Sequence, residues 1–185
     1  MMSTNQDARA KHPGIIKVIG MGQSLRGDDA AGLEAVRQWL ETCQSTHGHP
    51  NVQVELAELP GISLLDLLEG SSSAILVDAV HSGTIPGTIH VLTEDQLASF
   101  SEGSASAHGW GVAETLSLGR QLTPSSMPEN LVLIGIEAGQ LALGGALSPE
   151  VKSSLPKVTR LIEQFVIHAE RMDQFSSGAS RISPR

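Results

Sequence analysis

Short apolar segments alternate along the chain with segments whose apolar residues recur every three or four positions. The segments GIIKVIGMG (14–22), AILVDAV (74–80) and LVLIGIEA (131–138) are almost entirely apolar, which is typical of strands covered on both faces. Residues 52–56 alternate in polarity, and residues 87–93 follow a turn that contains Gly and Pro, so both predict further strands. The pattern therefore predicts a sheet of five strands.

The segments between these strands have helical spacing. Apolar residues on one helical face predict a helix over 30–43, and shorter helices are predicted over 60–70 and 108–122. A last helix is predicted to begin at Pro149, with Ser148 as its N-cap. Strands that alternate with helices predict an α/β fold, a three-layer sandwich in which helices flank a mostly parallel, twisted five-stranded sheet.

The chain is predicted to form one folded unit. Residues 1–14 are polar and predicted to be flexible, residues 15–170 form a single α/β domain, and residues 171–185 form a flexible polar tail. Pro156 lies inside the last helix, where it should kink the helix or mark an earlier helix start. Aromatic residues make up only 3% of the chain, so the core is predicted to be aliphatic.

Charge and composition exclude several classes of function. The formal net charge is -8 and no dense run of Lys and Arg occurs, which argues against nucleic acid or an anionic membrane as the main partner. The apolar runs are too short to span a bilayer, and no apolar segment follows the N-terminal charges as in a signal peptide. Cys43 is the only cysteine, which suits a reducing compartment. We expect a cytoplasmic protein.

Three acidic side chains follow predicted strands. Asp28 and Asp29 come after the first strand, and Asp78 ends the third. One carboxylate is enough to cap a helix and two neighbours repel, so we assign the helix cap to Asp28 and the functional site to Asp29. Asp78 lies among residues that should be buried, so its carboxylate needs backbone N–H donors, a charged partner or a metal.

His108 is the candidate histidine. It lies between small residues and glycines at the start of a predicted helix, where the helix dipole favours the neutral imidazole that coordinates metals. Sites in parallel sheets lie beyond the carboxyl ends of the strands, so Asp29, Asp78 and His108 are expected to converge there as a set of three ligands for a divalent metal. The other histidines are weaker candidates: His81 and His90 lie near strands, and His12, His47, His49 and His168 are predicted to be exposed.

Other catalytic patterns are absent from the sequence. In GMGQSLRG the third glycine is misplaced for a dinucleotide-binding loop, and no lysine follows as in a P-loop. No G-x-S-x-G motif occurs, and Cys43 has no evident activating base. Nucleotide binding is therefore supported by the topology alone.

Four segments resemble, in order, the sequence blocks of the hydrogenase maturation proteases. They are IKVIGMGQSLRGDDAAG, ILVDAVHSGTIPGTIHVL, SAHGWGVAETLSLG and LVLIGIEAG, and the resemblance covers roughly residues 15–165. These endopeptidases remove the C-terminal extension from the large subunit of nickel–iron hydrogenases. The resemblance implies that Asp29, Asp78 and His108 bind the metal and form the catalytic site. Gln23 stands where the family usually has asparagine.

The resemblance also implies the substrate and the metal. The partner would be the large-subunit precursor, whose nickel is held by cysteine thiolates, and the nickel would come with this substrate. Two carboxylates and one imidazole cannot compete with thiolates for nickel, so the enzyme would recognise the metal without removing it. Either the metal or an aspartate acting as general base would then activate water. A monomer is expected. The alternatives are a non-catalytic nickel-site or nucleotide-binding module on the same scaffold, and an unrelated metal-dependent hydrolase.

Overall fold

A five-stranded sheet forms the centre of the molecule. The computed structural model describes residues 14–44, 48–101 and 111–179. The strand order is β2-β1-β3-β5-β4, and only β4 runs antiparallel to its neighbour, which confirms the predicted mostly parallel sheet. The strands are β1 (Ile16–Gly22), β2 (Val52–Glu58), β3 (Ser73–Val80), β4 (Ile89–Thr93) and β5 (Asn130–Glu137).

Helices cover both faces of the sheet, which confirms the three-layer sandwich. The helices are α1 (Ala31–Gln44), α2 (Leu64–Leu68), α3 (Glu94–Ser101), α4 (Val112–Leu122) and α5 (Pro149–Ala179). Successive residues of β1 point to opposite faces. Ile16 and Val18 pack with α1 and α5, whereas Ile19 and Met21 pack with α2, α3 and α4. No helix in the described ranges is long and apolar enough to cross a bilayer.

Glycines allow the start of α1 to lie directly on the sheet. A Cβ atom on Gly20 of β1 would lie 2.8 Å from the carbonyl oxygen of Gly32 in α1. A Cβ atom on Gly32 would collide with the carbonyl oxygens of Met21 and Val77. The helix therefore begins in contact with the ends of both β1 and β3, which fixes the turn that precedes it.

The last helix begins as predicted but ends later. The backbone N–H of Val151 donates to the Ser148 hydroxyl at 3.4 Å, so Ser148 is the N-cap and Pro149 the first helical residue. The helix continues through Pro156, which therefore does not mark a different helix start. It also extends to Ala179, beyond the predicted domain boundary at residue 170. Residues 1–13 and 180–185 lie outside the described ranges.

Helix α3 was not predicted from the sequence. Thr93 precedes it, and the Thr93 backbone N–H donates to the Gln96 side-chain oxygen at 3.0 Å. A Thr followed three residues later by Gln is a capping-box pattern, and Leu97 supplies a buried apolar contact. The signal was therefore present in the sequence, but only one turn of apolar periodicity supported it.

Candidate active site

The direction in which successive strands are added to the sheet reverses between β1 and β3. From β1 the chain passes through α1 to β2 on one side of β1, and then returns to form β3 on the other side. In such folds the crevice beyond the carboxyl ends of these two strands is the usual ligand site. Asp29 lies in a short 3-10 turn, Gly27–Ala30, that follows β1, and Asp78 lies in β3 one residue beyond the last pair with β1. The prediction that these two aspartates lie at this edge of the sheet is confirmed.

The two carboxylates interact electrostatically. Asp29 is 7% exposed and Asp78 is partly buried. Loss of hydration raises the pKa of Asp78, the Ala79 N–H that donates to Asp78 Oδ1 at 2.9 Å lowers it, and the negative charge of Asp29 raises it, so that the pKa is about 7. Two neighbouring carboxylates favour a shared proton or a bound cation. The pair therefore suits both proton transfer and metal binding.

Backbone geometry presents Asp29 at this edge. Gly22 has a φ of 143°, and a Cβ atom there would collide with the Asp29 carbonyl oxygen. That carbonyl accepts the Gln23 N–H at 3.2 Å, and the Asp29 N–H donates to the Arg26 carbonyl at 3.2 Å. The turn between β1 and α1 therefore closes on itself and requires glycine at its first position.

Asp28 does not cap the first helix, so that prediction was wrong. Its carboxylate is fully buried and accepts four hydrogen bonds from the segment that joins β5 to α5. The donors are the N–H groups of Gly139 (2.8 Å), Gln140 (2.9 Å) and Ser148 (2.6 Å) and the Ser148 hydroxyl (2.9 Å). Burial alone would raise the pKa of Asp28, but these bonds outweigh it and hold the pKa below its usual value. Asp28 is therefore a structural residue that holds two loops together.

Glu137 is a second buried carboxylate of this kind, and its role was not predicted from the sequence. It ends β5 and pairs in register with Val80. It accepts the N–H groups of Ser82 and Gly83 at 2.8 Å and of Thr84 at 3.2 Å. Burial would raise its pKa, but the hydrogen bonds, led by the Ser82 hydroxyl at 2.7 Å, hold the pKa below its usual value. Glu137 therefore fixes the loop that follows Asp78, and an acidic residue at the end of an apolar strand was its only sequence signal.

The described histidines have structural or surface positions. His90 Nε2 lies 3.2 Å from Glu137, and its ring lies 5.1 Å from that of Phe100. His81 is exposed, as is His168, which was predicted to be so. His49 was predicted to be exposed, but it is largely buried against Trp39; its ring nitrogens lie 3.0 Å from Glu170 and 3.3 Å from Glu163.

The third predicted ligand lies outside the described residues. His108 belongs to residues 102–110, and His12 and His47 are also outside the described ranges. Within 14–44, 48–101 and 111–179, no group of three His, Cys, Asp or Glu side chains is arranged to hold a metal ion. The structure thus brings together Asp29 and Asp78, and the role of His108 stays a prediction.

Comparison with known proteins identifies the family. A family model described as hydrogenase maturation protease matches residues 39–165. The chain belongs to this family. Asp78 and His108 fall within the matched residues, whereas Asp29 precedes them. Among similar curated proteins is the hydrogenase expression/formation protein HupD of Thiocapsa roseopersicina, 30% identical over 168 residues that cover 85% of this chain and 72% of the relative.

Solved structures of maturation proteases share the fold. The hydrogenase maturating endopeptidase HybD from E. coli superposes with a TM-score of 0.72 at 24% identity, over 84% of this chain and 93% of that one. The NiFe hydrogenase maturation protease HybD from Thermococcus kodakarensis has a TM-score of 0.67 at 25% identity, over 82% and 99% of the two chains. The sheet order and helix layers described above are therefore those of a family of peptidases.

Proposed function

We propose that this maturation protease removes the C-terminal extension from the nickel-loaded large-subunit precursor of a nickel–iron hydrogenase. Family membership supports peptide-bond hydrolysis as the reaction class. The observation that carries the site assignment is the interaction of Asp29 and Asp78 at the carboxyl ends of β1 and β3. The names of the relatives point to hydrogenase formation as the process.

We assign recognition of the nickel in the precursor to Asp29, Asp78 and His108. The structural support is the repulsion between the two carboxylates, because a divalent cation beside them would stabilise both ionised forms. Oxygen ligands bind nickel more weakly than cysteine thiolates do. The enzyme therefore contacts the metal at open coordination positions and leaves it in the precursor.

We assign proton transfer to Asp78. Nickel beside the pair would lower the pKa of Asp78 from about 7 and keep its carboxylate ionised, which is the form a general base needs. Ionised Asp78 takes a proton from water as the water oxygen adds to the scissile carbonyl carbon. It then returns the proton to the leaving amine when the carbon–nitrogen bond breaks. Nickel in the substrate would supply Lewis-acid polarisation of the carbonyl group.

Conservative variants test these assignments. Asp78→Asn should lower processing of a nickel-loaded precursor by at least about 100-fold, the usual contribution of a proton-transfer group. Asp29→Asn and His108→Gln should also lower processing, because each removes a group assigned to contact the nickel. The matched controls are Asp66→Asn, at an exposed aspartate of α2, and His168→Gln, at an exposed histidine of α5. Circular dichroism should show every variant folded. Full processing by Asp29→Asn or by Asp78→Asn would contradict the proposal, and precursor binding without any cleavage by the wild-type protein would favour a non-catalytic module.

A further inference from the structure

Large apolar side chains are exposed on the loops that follow the parallel strands. Each of these loops begins at the carboxyl end of a strand, on the same edge of the sheet as Asp29 and Asp78. The exposed fractions of the side chains range from 50% to 85%. We call this set the apolar rim: Leu25 after β1, Leu59 and Ile62 after β2, Ile85 after β3, and Leu143 after β5.

The loops of the apolar rim are joined to one another. The Leu59 N–H donates to the Gly22 carbonyl at 3.3 Å, which connects the loops after β2 and β1. The Gly144 N–H donates to the Leu25 carbonyl at 2.7 Å, which connects the loops after β5 and β1. The Gly87 N–H donates to the Glu137 carbonyl at 2.8 Å, which connects the loop after β3 to the end of β5. The loops that carry the rim are therefore linked to one another beside the turn that carries Asp29.

Buried carboxylates fix the positions of these loops. Asp28 accepts N–H groups on both sides of Leu143, from Gly139, Gln140 and Ser148. Glu137 accepts the three N–H groups that lead to Ile85. An apolar side chain held in place before binding loses little conformational entropy when a partner covers it. These carboxylates therefore hold in place the two loops that carry Ile85 and Leu143.

The rim is also poor in charge. Arg26, Asp28 and Asp29 are the only Asp, Glu, Lys or Arg residues in the four connections, which are 23–30, 59–63, 81–88 and 138–148, and both aspartates are buried. In the whole chain 17% of residues are charged. Depletion of charge around exposed apolar side chains is characteristic of the centre of a protein–protein interface. Nucleic acid and anionic lipid would instead require a cationic surface.

We propose that the apolar rim docks an uncharged, apolar polypeptide surface of the large-subunit precursor next to its scissile bond. This inference rests on the proposed function, because the rim surrounds the carboxylate pair to which that function assigns the cleavage. Docking through the rim supplies substrate affinity that is independent of the metal.

Kinetics with a rim variant and a matched control variant test the proposal. The rim variant combines Leu25→Ser, Ile85→Ser and Leu143→Ser. The control combines Leu122→Ser, Met172→Ser and Phe175→Ser, which are exposed apolar residues outside these loops. With nickel-loaded precursor, the rim variant should raise KM by at least about tenfold with little change in kcat, as expected for loss of interface hot spots. The control should match the wild-type protein, and both should unfold at the wild-type urea concentration. A wild-type KM for the rim variant would overturn the proposal.

Crosslinking separates failure of this proposal from failure of the proposed function. A photoreactive benzoyl-phenylalanine at position 143 should crosslink to the precursor, whereas one at position 122 should not, and neither result requires cleavage. Normal cleavage without a crosslink at 143 overturns the rim and leaves the protease function intact. A crosslink without any cleavage supports the rim and contradicts the protease function. The proposal would also be wrong if the variant with benzoyl-phenylalanine at position 143 bound phosphatidylcholine vesicles and did not bind the precursor.

Discussion

Replacing Asp28 by asparagine tests whether the two adjacent aspartates have different roles. The Asp28 carboxylate accepts hydrogen bonds from Gly139, Gln140 and twice from Ser148, all across the interface between two loops. Asparagine has nearly the same shape, but it is uncharged and has a single acceptor oxygen. If the asparagine oxygen takes the position of Oδ2, the side-chain amide nitrogen takes the position of Oδ1, which accepts the Ser148 N–H in the wild-type protein. Two hydrogen-bond donors then face each other.

The expected loss of stability follows from these contacts. Hydrogen bonds to a charged group contribute about 1.5–3 kcal/mol each, against about 0.5–1.5 kcal/mol for neutral pairs, so each of the three retained bonds weakens. The buried Ser148 N–H left without an acceptor costs about 1–3 kcal/mol more. We therefore expect Asp28→Asn to lower the free energy of unfolding by about 4–7 kcal/mol. A domain of this size is typically stable by about 5–15 kcal/mol, so the loss should appear as a much lower urea midpoint or, at the extreme, as unfolding without urea.

Urea unfolding at pH 7, followed by circular dichroism, measures this effect, and Asp29→Asn is the matched control. Asp29→Asn should lower the free energy of unfolding much less than Asp28→Asn does, because removal of its charge relieves the repulsion between Asp29 and Asp78. It should nevertheless abolish precursor processing. Equal losses of stability in the two variants, or a larger loss in Asp29→Asn, would refute the division between a structural and a functional aspartate.

Three further predictions concern stability. The pKa values of Asp28 and Glu137 are lowered on folding, so their stabilisation is complete above the ordinary values of 3.8 and 4.5. This stabilisation is lost as the pH falls through the lower pKa values of the folded protein. The melting temperatures of wild-type protein and Glu137→Gln should therefore converge in acid. The pKa of Asp78 is instead raised from 3.8 to about 7, so folding favours its protonated form and wild-type stability falls as pH rises between these values. At pH 8 the free energy of unfolding of Asp78→Asn should therefore exceed that of the wild-type protein by up to about 4 kcal/mol, measured by urea unfolding with a chelator present. This gain should disappear below pH 4. Gly32→Ala should lower the free energy of unfolding by about 3 kcal/mol or more in the same urea assay, because the added Cβ atom would collide with backbone carbonyls of β1 and β3.

Local patterns were sufficient to predict most of the fold. Buried parallel strands appear as short, almost wholly apolar segments, and the N-cap Ser148 lies directly before the helix it starts. Helix α3 was not predicted because its eight residues carry too little apolar periodicity to distinguish them from a loop. The extension of α5 to Ala179 was missed because the last residues of that helix are polar and resemble a tail.

Roles that depend on distant contacts could not be read from the sequence. Asp28 has the local pattern of a helix cap, but its donors lie 111–120 residues away. Glu137 has no neighbour in the chain that indicates its donors, which lie more than 50 residues before it. His49 contacts a helix more than 100 residues further along the chain. Convergence of Asp29 and Asp78 could be predicted because it follows from strand direction alone.

The most direct test of metal recognition is a comparison of two forms of one substrate. The same large-subunit precursor, prepared with and without nickel, is incubated with the wild-type protein, and release of the C-terminal extension is followed by mass spectrometry. Cleavage of the nickel-loaded form alone is expected, with no nickel transferred to the protease. Cleavage of both forms at the same rate would contradict the assignment of Asp29 and Asp78 to metal recognition.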